Sequence, residues 1–291
     1  MKKQIITFIF LLFVSATFAQ APQSLLWKVS GNGLEKPSYI FGTFHLLTNS
    51  FADSLPAVMK AFQEAEAVVG ELVIDSNIQA PMMAASMLQG TTLKELLPDS
   101  LFQKTDAWFQ KEAGMPLEQF NVLSPTAVTS IAMMITQQRY MPNPAGEIAL
   151  DSYFQERGKA EGKEVLGLET IHDQVKALFG SVTLERQVEI MTETFYDPRP
   201  VKEYLFTMNE AYRKADFEGL EEMMYASTYK PEELKILLDD RNFAWVDQLP
   251  GLMKDKSLFI AVGALHLSGT NGLVSLLKNL GYEVTPVNTK G

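Results

Sequence analysis

"SYIFGTFHLLTNSF", residues 38–51, is an apolar run that ends in Gly-x-x-His, and "SLFIAVGALHLSGTNG", residues 257–272, repeats the design near the other end of the chain. The sequence holds only three histidines, so two of the three share one local pattern. Strand alternation puts Tyr39, Phe41, Thr43 and His45 on one face and Gly42 on the other, and the same parity sets His266 opposite Gly263. Each glycine removes a Cβ and permits close approach of a neighbouring element, while each histidine is presented at a strand tip. In open α/β sheets that carboxyl edge is where ligands bind.

Working outward, six stretches have strand character: 25–31, 37–45, 67–75, 163–170, 257–267 and 281–287. The turn "GNGLEKP" predicts an antiparallel hairpin of the first two, and "FADSLPAVMKAFQEAE" has the length of a crossover helix between the second and third. A strand, a helix and a strand near the C-terminus predict a second βαβ-like unit. The expected fold is α/β, a mixed sheet built from both ends of the chain and flanked by helices. A large helical insertion at about 78–144 carries methionines at 82, 83, 87, 115, 133 and 134, read first as flexible core packing and second as a substrate-gripping surface. A further helical block is expected from about Leu184 to Leu249.

Residues 1–19 have the layout of a secretory signal: Lys2 and Lys3, an apolar stretch from Ile5 to Val14, then Thr17-Phe18-Ala19 as a cleavage site. The expectation is an exported protein, periplasmic or secreted, whose mature chain, 20–291, is a single α/β domain with the helical insertion and has no transmembrane segment. There is no cysteine, so neither a disulfide nor a thiolate metal site is available. Loss of Lys2 and Lys3 moves the formal charge from −10 to −12, a poor match for phosphate backbones, and nucleic acid is not expected as a partner.

Two acids occupy places comparable to the histidines. Glu71 lies within "AVVGELVI" with Val69 and Val73 on its own face, and Glu169 closes "VLGLET". A glutamate in a buried strand is costly as a bare anion and needs a metal, a cation or hydrogen-bond donors. In chain order the set reads His45, Glu71, Glu169, His266. Neutral imidazoles with carboxylates suit a divalent metal, Zn, Mn, Co or Fe. Such an ion activates water, with one glutamate as general base, and the product would be a hydrolase. The alternative is that each histidine is a satisfied polar group and each glutamate an ion-pair partner. Helical spacing in "ILLDDRNFAWVDQL" sets Leu238, Asn242 and Trp245 along one side with Arg241 adjacent. Arg241 is read as a counter-ion to Glu71 or Glu169, a grip on a substrate carboxylate, or a solvated charge. Asp151 reads as a residue near a helix start, and His172 as a surface residue. No G-x-S-x-G, Walker loop, G-x-G-x-x-G or H-E-x-x-H occurs.

"LLWKVSG", "SYIFGTFHL", "VVGELVID", "GKEVLGLETIHDQ", "LLDDRNFAWVDQL" and "SLFIAVGALHLSGTNGLVSLLKNLGYEV", in that order, resemble the TraB/GumN family, also called TraB/PrgY/GumN or TIKI-like. The resemblance implies an α/β core with helical insertions, distantly similar to erythromycin esterases and haem-binding ChaN-like proteins. It also implies a metallopeptidase-like site with Mn or Co favoured: His45, His266 and Glu71 as the metal and catalytic set, with Gly42 and Gly263 as motif glycines. Glu169, Arg241 and Asn242 match recurrent family positions. A peptide or protein substrate is implied; the alternative is a non-catalytic protein that sequesters a peptide, a haem or a metal.

Overall fold

Six runs of Val, Ile, Leu and aromatic residues form the six expected strands: β1 (Leu26–Ser30), β2 (Ser38–Thr43), β3 (Ala67–Gly70), β4 (Glu164–Gly167), β5 (Leu258–Gly263) and β6 (Glu283–Val287). The computed structural model describes residues 23–197, 201–225 and 229–289, and the expected signal segment 1–19 lies outside the described residues. The strands make one mixed sheet in the order β4-β3-β5-β2-β1-β6. β4, β3, β5 and β2 run parallel, so all four send their carboxyl ends to one edge. β1 is antiparallel to both β2 and β6.

The hairpin is as expected, but the crossovers are wider. The helices Asn49–Asp53 and Pro56–Glu64 lead from β2 to β3 across β5, and the helix Leu273–Asn279 leads from β5 to β6 across two strands. Phe41 and Phe259 share one sheet face, where Phe154 of the helix Leu150–Ala160 packs on both and Phe62 of the helix Pro56–Glu64 meets Phe259 edge-on. The ring centroids are 5.5 Å apart for Phe41–Phe154 and 4.7 Å for Phe154–Phe259. That aromatic block fixes the helix Leu150–Ala160, which begins at the site, against the sheet.

Residues 78–144 contain helices and no strand, as expected. They pack with the helix Leu184–Tyr196 around a second apolar cluster that includes Leu101, Phe109, Leu117, Val128 and Met191. The reading of the insertion's methionines as core packing is corrected. None of the six is buried, and Met83 and Met134 are 62% and 66% exposed. Leucine and phenylalanine fill that core instead. Among the described residues no helix is long and apolar enough to cross a membrane.

Every strand is shorter than its sequence pattern. β3, β4 and β5 end on Gly70, Gly167 and Gly263, and β2 ends one residue after Gly42. At Gly167 and Gly42 the turn that follows a neighbouring strand passes too close for a side chain. A Cβ on Gly167 would lie 2.9 Å from Val73 N, and one on Gly42 would lie 2.9 Å from Ala264 Cα. Glu71, Glu169, His45 and His266 are therefore not strand residues, as alternation implied. They stand in the first turns beyond the edge.

Candidate functional site

The loop after β3 and the loop after β4 are tied at the backbone: the N–H groups of Leu168 and Glu169 donate to Glu71 O at 3.0 and 2.8 Å. Thr170 caps the helix Ile171–Phe179 in a reciprocal pair with Asp173, which fixes Glu169 immediately before the helix start. Gln155 braces the other loop, donating to Leu72 O at 2.9 Å and accepting from Ile74 N at 2.8 Å. Both carboxylates are thereby aimed at the end of β5.

Arg241 meets them there. A π-helical segment, Lys235–Asp239, precedes the short helix Asp240–Val246 that carries it. Its Nε and Nη2 donate to the two oxygens of Glu169 at 3.0 and 2.8 Å, and Nη2 also donates to Glu71 Oε2 at 2.5 Å. Nη1 lies 3.0 Å from His266 Nε2. Glu71 Oε1 accepts from Gly263 N at 2.9 Å. A Cβ on Gly263 would lie 3.2 Å from that same oxygen, so the motif glycine leaves room for the carboxylate. Burial opposes the charge on Glu71, but the Arg241 guanidinium and the Gly263 N–H hold its pKa below the usual carboxylate range. Glu169 is the reverse case. Burial pushes its pKa up despite the arginine.

His266 sits in a single 3-10 turn, Ala264–Leu267, with a side chain only 5% exposed. Its tautomer follows from its partners. Asn242 spends its amide N–H groups on His266 O at 3.3 Å and Asn271 O at 2.8 Å, so its Oδ1, 2.7 Å from His266 Nδ1, must accept. Nδ1 carries the hydrogen, and Nε2 presents a lone pair to Arg241 and, at 3.9 Å, to Glu71 Oε1. The Trp245 ring lies 4.4 Å from the imidazole and closes it from water. Burial lowers the pKa of His266 to about 3, and the ring is neutral.

His45 stands on the same edge in a different setting. Its side chain is 75% exposed and its Nδ1 donates to Asp151 Oδ2 at 2.6 Å, while Thr43 Oγ1 donates to Asp151 Oδ1 at 2.5 Å. The Asp151 carboxylate raises the pKa of His45 to about 9. Asp151 in turn is held below its usual range, the imidazole and Thr43 outweighing burial. Among the described residues no three His, Asp or Glu side chains are placed to hold one metal ion together.

The family model for TraB/PrgY/gumN matches residues 25–286, nearly the whole described chain. The chain belongs to the TraB/PrgY/gumN family. Relatives with that similarity include "Metalloprotease TIKI1" of Danio rerio, 22% identical across 90% of this chain and 62% of its own length. "Metalloprotease TIKI2" of the same fish is 23% identical across 90% of this chain and 60% of its own. The uncharacterized protein YbaP of Escherichia coli (strain K12) is 21% identical across 82% and 87%. The chain thus spans about three fifths of the length of the TIKI relatives. No solved structure matches it.

In this member of the TraB/PrgY/gumN family the edge gathers Glu71, Glu169, Arg241, Asn242 and His266 into one hydrogen-bonded cluster, and sets His45 beside it on Asp151. Two of the compensations expected for a buried glutamate are present, a cation and a backbone donor. Arg241 is not a solvated charge, and His172 is exposed and outside the cluster. Asp151 is the functional candidate that sequence reasoning passed over as a helix-start residue. A signal did exist: Asp151, Gln155 and Gly158 lie at i, i+4 and i+7, a line of polar and small residues on the face that meets the sheet.

Proposed function

We propose that the chain is a metal-dependent hydrolase of the peptidase type, acting after export, with His266, His45 and Glu71 as its metal-binding groups. The observation that carries this is His266. It is a buried imidazole whose Nδ1–H is fixed by Asn242 and whose Nε2, met by Arg241 Nη1 at 3.0 Å, lies 3.9 Å from Glu71 Oε1. His266 Nε2 and the Glu71 carboxylate would be the groups to hold a divalent ion there. Asn242 and Asp151 then act as the outer partners that orient the two rings by their Nδ1–H groups. The names of the TIKI relatives point the same way. Two features oppose a bound ion as the site stands: the Arg241 guanidinium lies among the same donors, and among the described residues no three His, Asp or Glu side chains are placed to hold one ion together.

When bound, a divalent metal lowers the pKa of coordinated water and polarises a peptide carbonyl. The chain's own groups have separable tasks. His266 is available as a neutral donor at any pH above its low pKa, whereas His45 must give up a proton to serve, so loading releases protons and is favoured by higher pH. Glu169, whose carboxyl binds a proton more readily than an ordinary glutamate, is the group suited to hold and return one during turnover. Arg241 bridges Glu71 and Glu169 through Nη2 and orients both.

The test is turnover of a fluorogenic peptide library by the untagged full chain after chelation, then with Mn(II) or Co(II) restored. The result expected is loss on chelation and recovery with metal. Turnover that survives chelation would overturn the metal reading; retained metal without turnover would put the sequestering protein in its place.

A further inference from the structure

A cavity of about 350 Å³ opens among the helices beside the second apolar cluster, and none of its lining residues belongs to the cluster at the sheet edge. Its walls come from the helices Asp99–Ala113, Pro125–Tyr140, Leu184–Tyr196 and Val201–Lys214. Close-packed interiors leave few voids larger than a water molecule, and pockets that take small ligands begin at about 300 Å³. The apolar part of the lining is aromatic. Trp108 and Phe195 meet edge to face at 5.7 Å, and Tyr140 stands on a third helix. Tyr140 is held in place from behind: its hydroxyl donates to Glu112 Oε2 at 2.9 Å, and the Glu112 side chain is only 7% exposed. Arg139 Nε lies 3.2 Å from the same oxygen and its Nη1 donates to Glu112 O at 2.8 Å. The wall is therefore fixed before any ligand arrives.

The polar part of the lining asks for an acceptor. Thr136 and Thr194 spend their hydroxyl hydrogens on Ala132 O and Ile190 O, at 2.8 and 2.9 Å, and Tyr140 spends its own on Glu112. Ammonium groups remain as donors. Lys111 lies 3.1 Å from Glu112 Oε1, so Glu112 is compensated by Lys111 and Arg139 together, and Asp197 has an interaction of its own. Among the described residues neither Lys104 nor Lys202 has a carboxylate partner. Each ammonium rests over an aromatic ring instead, Lys104 over Tyr196 at 4.1 Å and Lys202 over Tyr140 at 5.2 Å. The chain as a whole has a formal charge of −10, yet this lining carries a surplus of positive charge.

We infer that this cavity is a binding site for a small aromatic carboxylate, whose ring lies among Trp108, Tyr140 and Phe195 and whose acid group is met by Lys104 and Lys202. A hydrogen bond from an ammonium to a carboxylate outweighs a contact with an exposed ring, and the flexible lysine stem lets each head turn from one to the other. At roughly 30 Å³ for each water-sized group, the volume suits a body of about a dozen non-hydrogen atoms, the size of phenylalanine. That chemistry belongs alike to a free aromatic acid and to the C-terminal residue of a peptide. The site goes beyond the hydrolase reading and does not rest on it.

The experiment is calorimetric titration of the untagged full chain with N-acetyl-L-phenylalanine and with N-acetyl-L-phenylalaninamide, a neutral probe of the same shape. Wild type is expected to bind the acid saturably and the amide about tenfold more weakly or worse. Lys104→Gln and Lys202→Gln together should cost the acid about tenfold and leave the amide unmoved. Thr194→Phe, which puts a ring into the cavity, should abolish binding of both, and Glu71→Gln should bind the acid as wild type does. A tetrapeptide of three glycines and a C-terminal phenylalanine assigns the source: binding as tight as that of the N-acetyl acid or tighter identifies a peptide terminus, and weaker binding identifies the free acid. If Thr194→Phe fails to fold, the lysine pair decides alone. Equal affinity for acid and amide, an affinity for the acid that the lysine pair leaves unchanged or that Glu71→Gln removes, or no saturable binding of the acid up to about 10 mM overturns the site.

Discussion

The two Gly-x-x-His turns share a motif and an edge, and differ in almost everything physical. Around His45 the ring is three-quarters exposed and its Nδ1–H meets a carboxylate; around His266 it is buried and meets an amide. The first pKa rises to about 9 and the second falls to about 3. The glycines differ too. Gly42 lets β2 pass the backbone of Ala264, whereas Gly263 makes room for the Glu71 carboxylate and gives it an N–H. What the comparison teaches is that the motif sets position alone, and the surroundings set charge: the Asp151 carboxylate beside His45, burial around His266.

The largest effect is expected from removing the acid on the buried side. Glu71→Gln keeps the size of the side chain and the Gly263 contact but loses the charge that faces Arg241 and His266. Turnover should fall by about 100-fold or more while the far-ultraviolet circular dichroism stays native. Full turnover in a folded variant would make Glu71 structural.

Alanine at each glycine should then separate the turns. At Gly42 a Cβ meets backbone at 2.9 Å, so Gly42→Ala should lose about 1–3 kcal/mol in denaturant unfolding. At Gly263 the conflict is with a side-chain oxygen at 3.2 Å, so Gly263→Ala should lose less stability and more turnover. The same ranking in both assays would erase the distinction.

A smaller effect follows from pH. The folded pKa of His45 lies above the ordinary 6.5, so its contribution is full below about 6.5 and is lost as pH rises through about 9. The ring is exposed, so solvent screening reduces the effect. For His266 the sign reverses. The unfolded chain takes up a proton below about 6.5 and the folded ring does not until about 3, so stability falls as pH drops across that interval. Subtracting the pH–stability curve of Asp151→Asn from that of wild type should isolate the first slope, and His266→Asn the second. Slopes of the same sign would remove the contrast between the turns.

Much of this edge was legible in the sequence because strands announce themselves by alternation and apolar runs. All six were visible, as were His45, Glu71, Glu169 and His266 at their carboxyl ends. Their boundaries were not, because alternation runs on through "GELVID" and "GALHL" although the chain has already turned at the glycine. Nor was the strand order, since β5 enters between β2 and β3 from the far end of the chain. Nor was the central position of Arg241, whose carboxylate partners are 170 and 72 residues away. Asp151 was missed because its partner is 106 residues away and a helix-start aspartate has a sufficient local explanation.

The most direct test of the contrast is a proton titration of the imidazoles by ¹H–¹⁵N correlation spectroscopy on the metal-free protein, with His45→Asn and His266→Asn to assign the signals. His45 should show both ring nitrogens protonated at neutral pH and lose a proton only near pH 9, and Asp151→Asn should bring that midpoint down. His266 should remain a neutral Nδ1–H tautomer at neutral pH and stay so down to the acid limit of the fold. Two rings that titrate together near pH 6.5 would contradict the account.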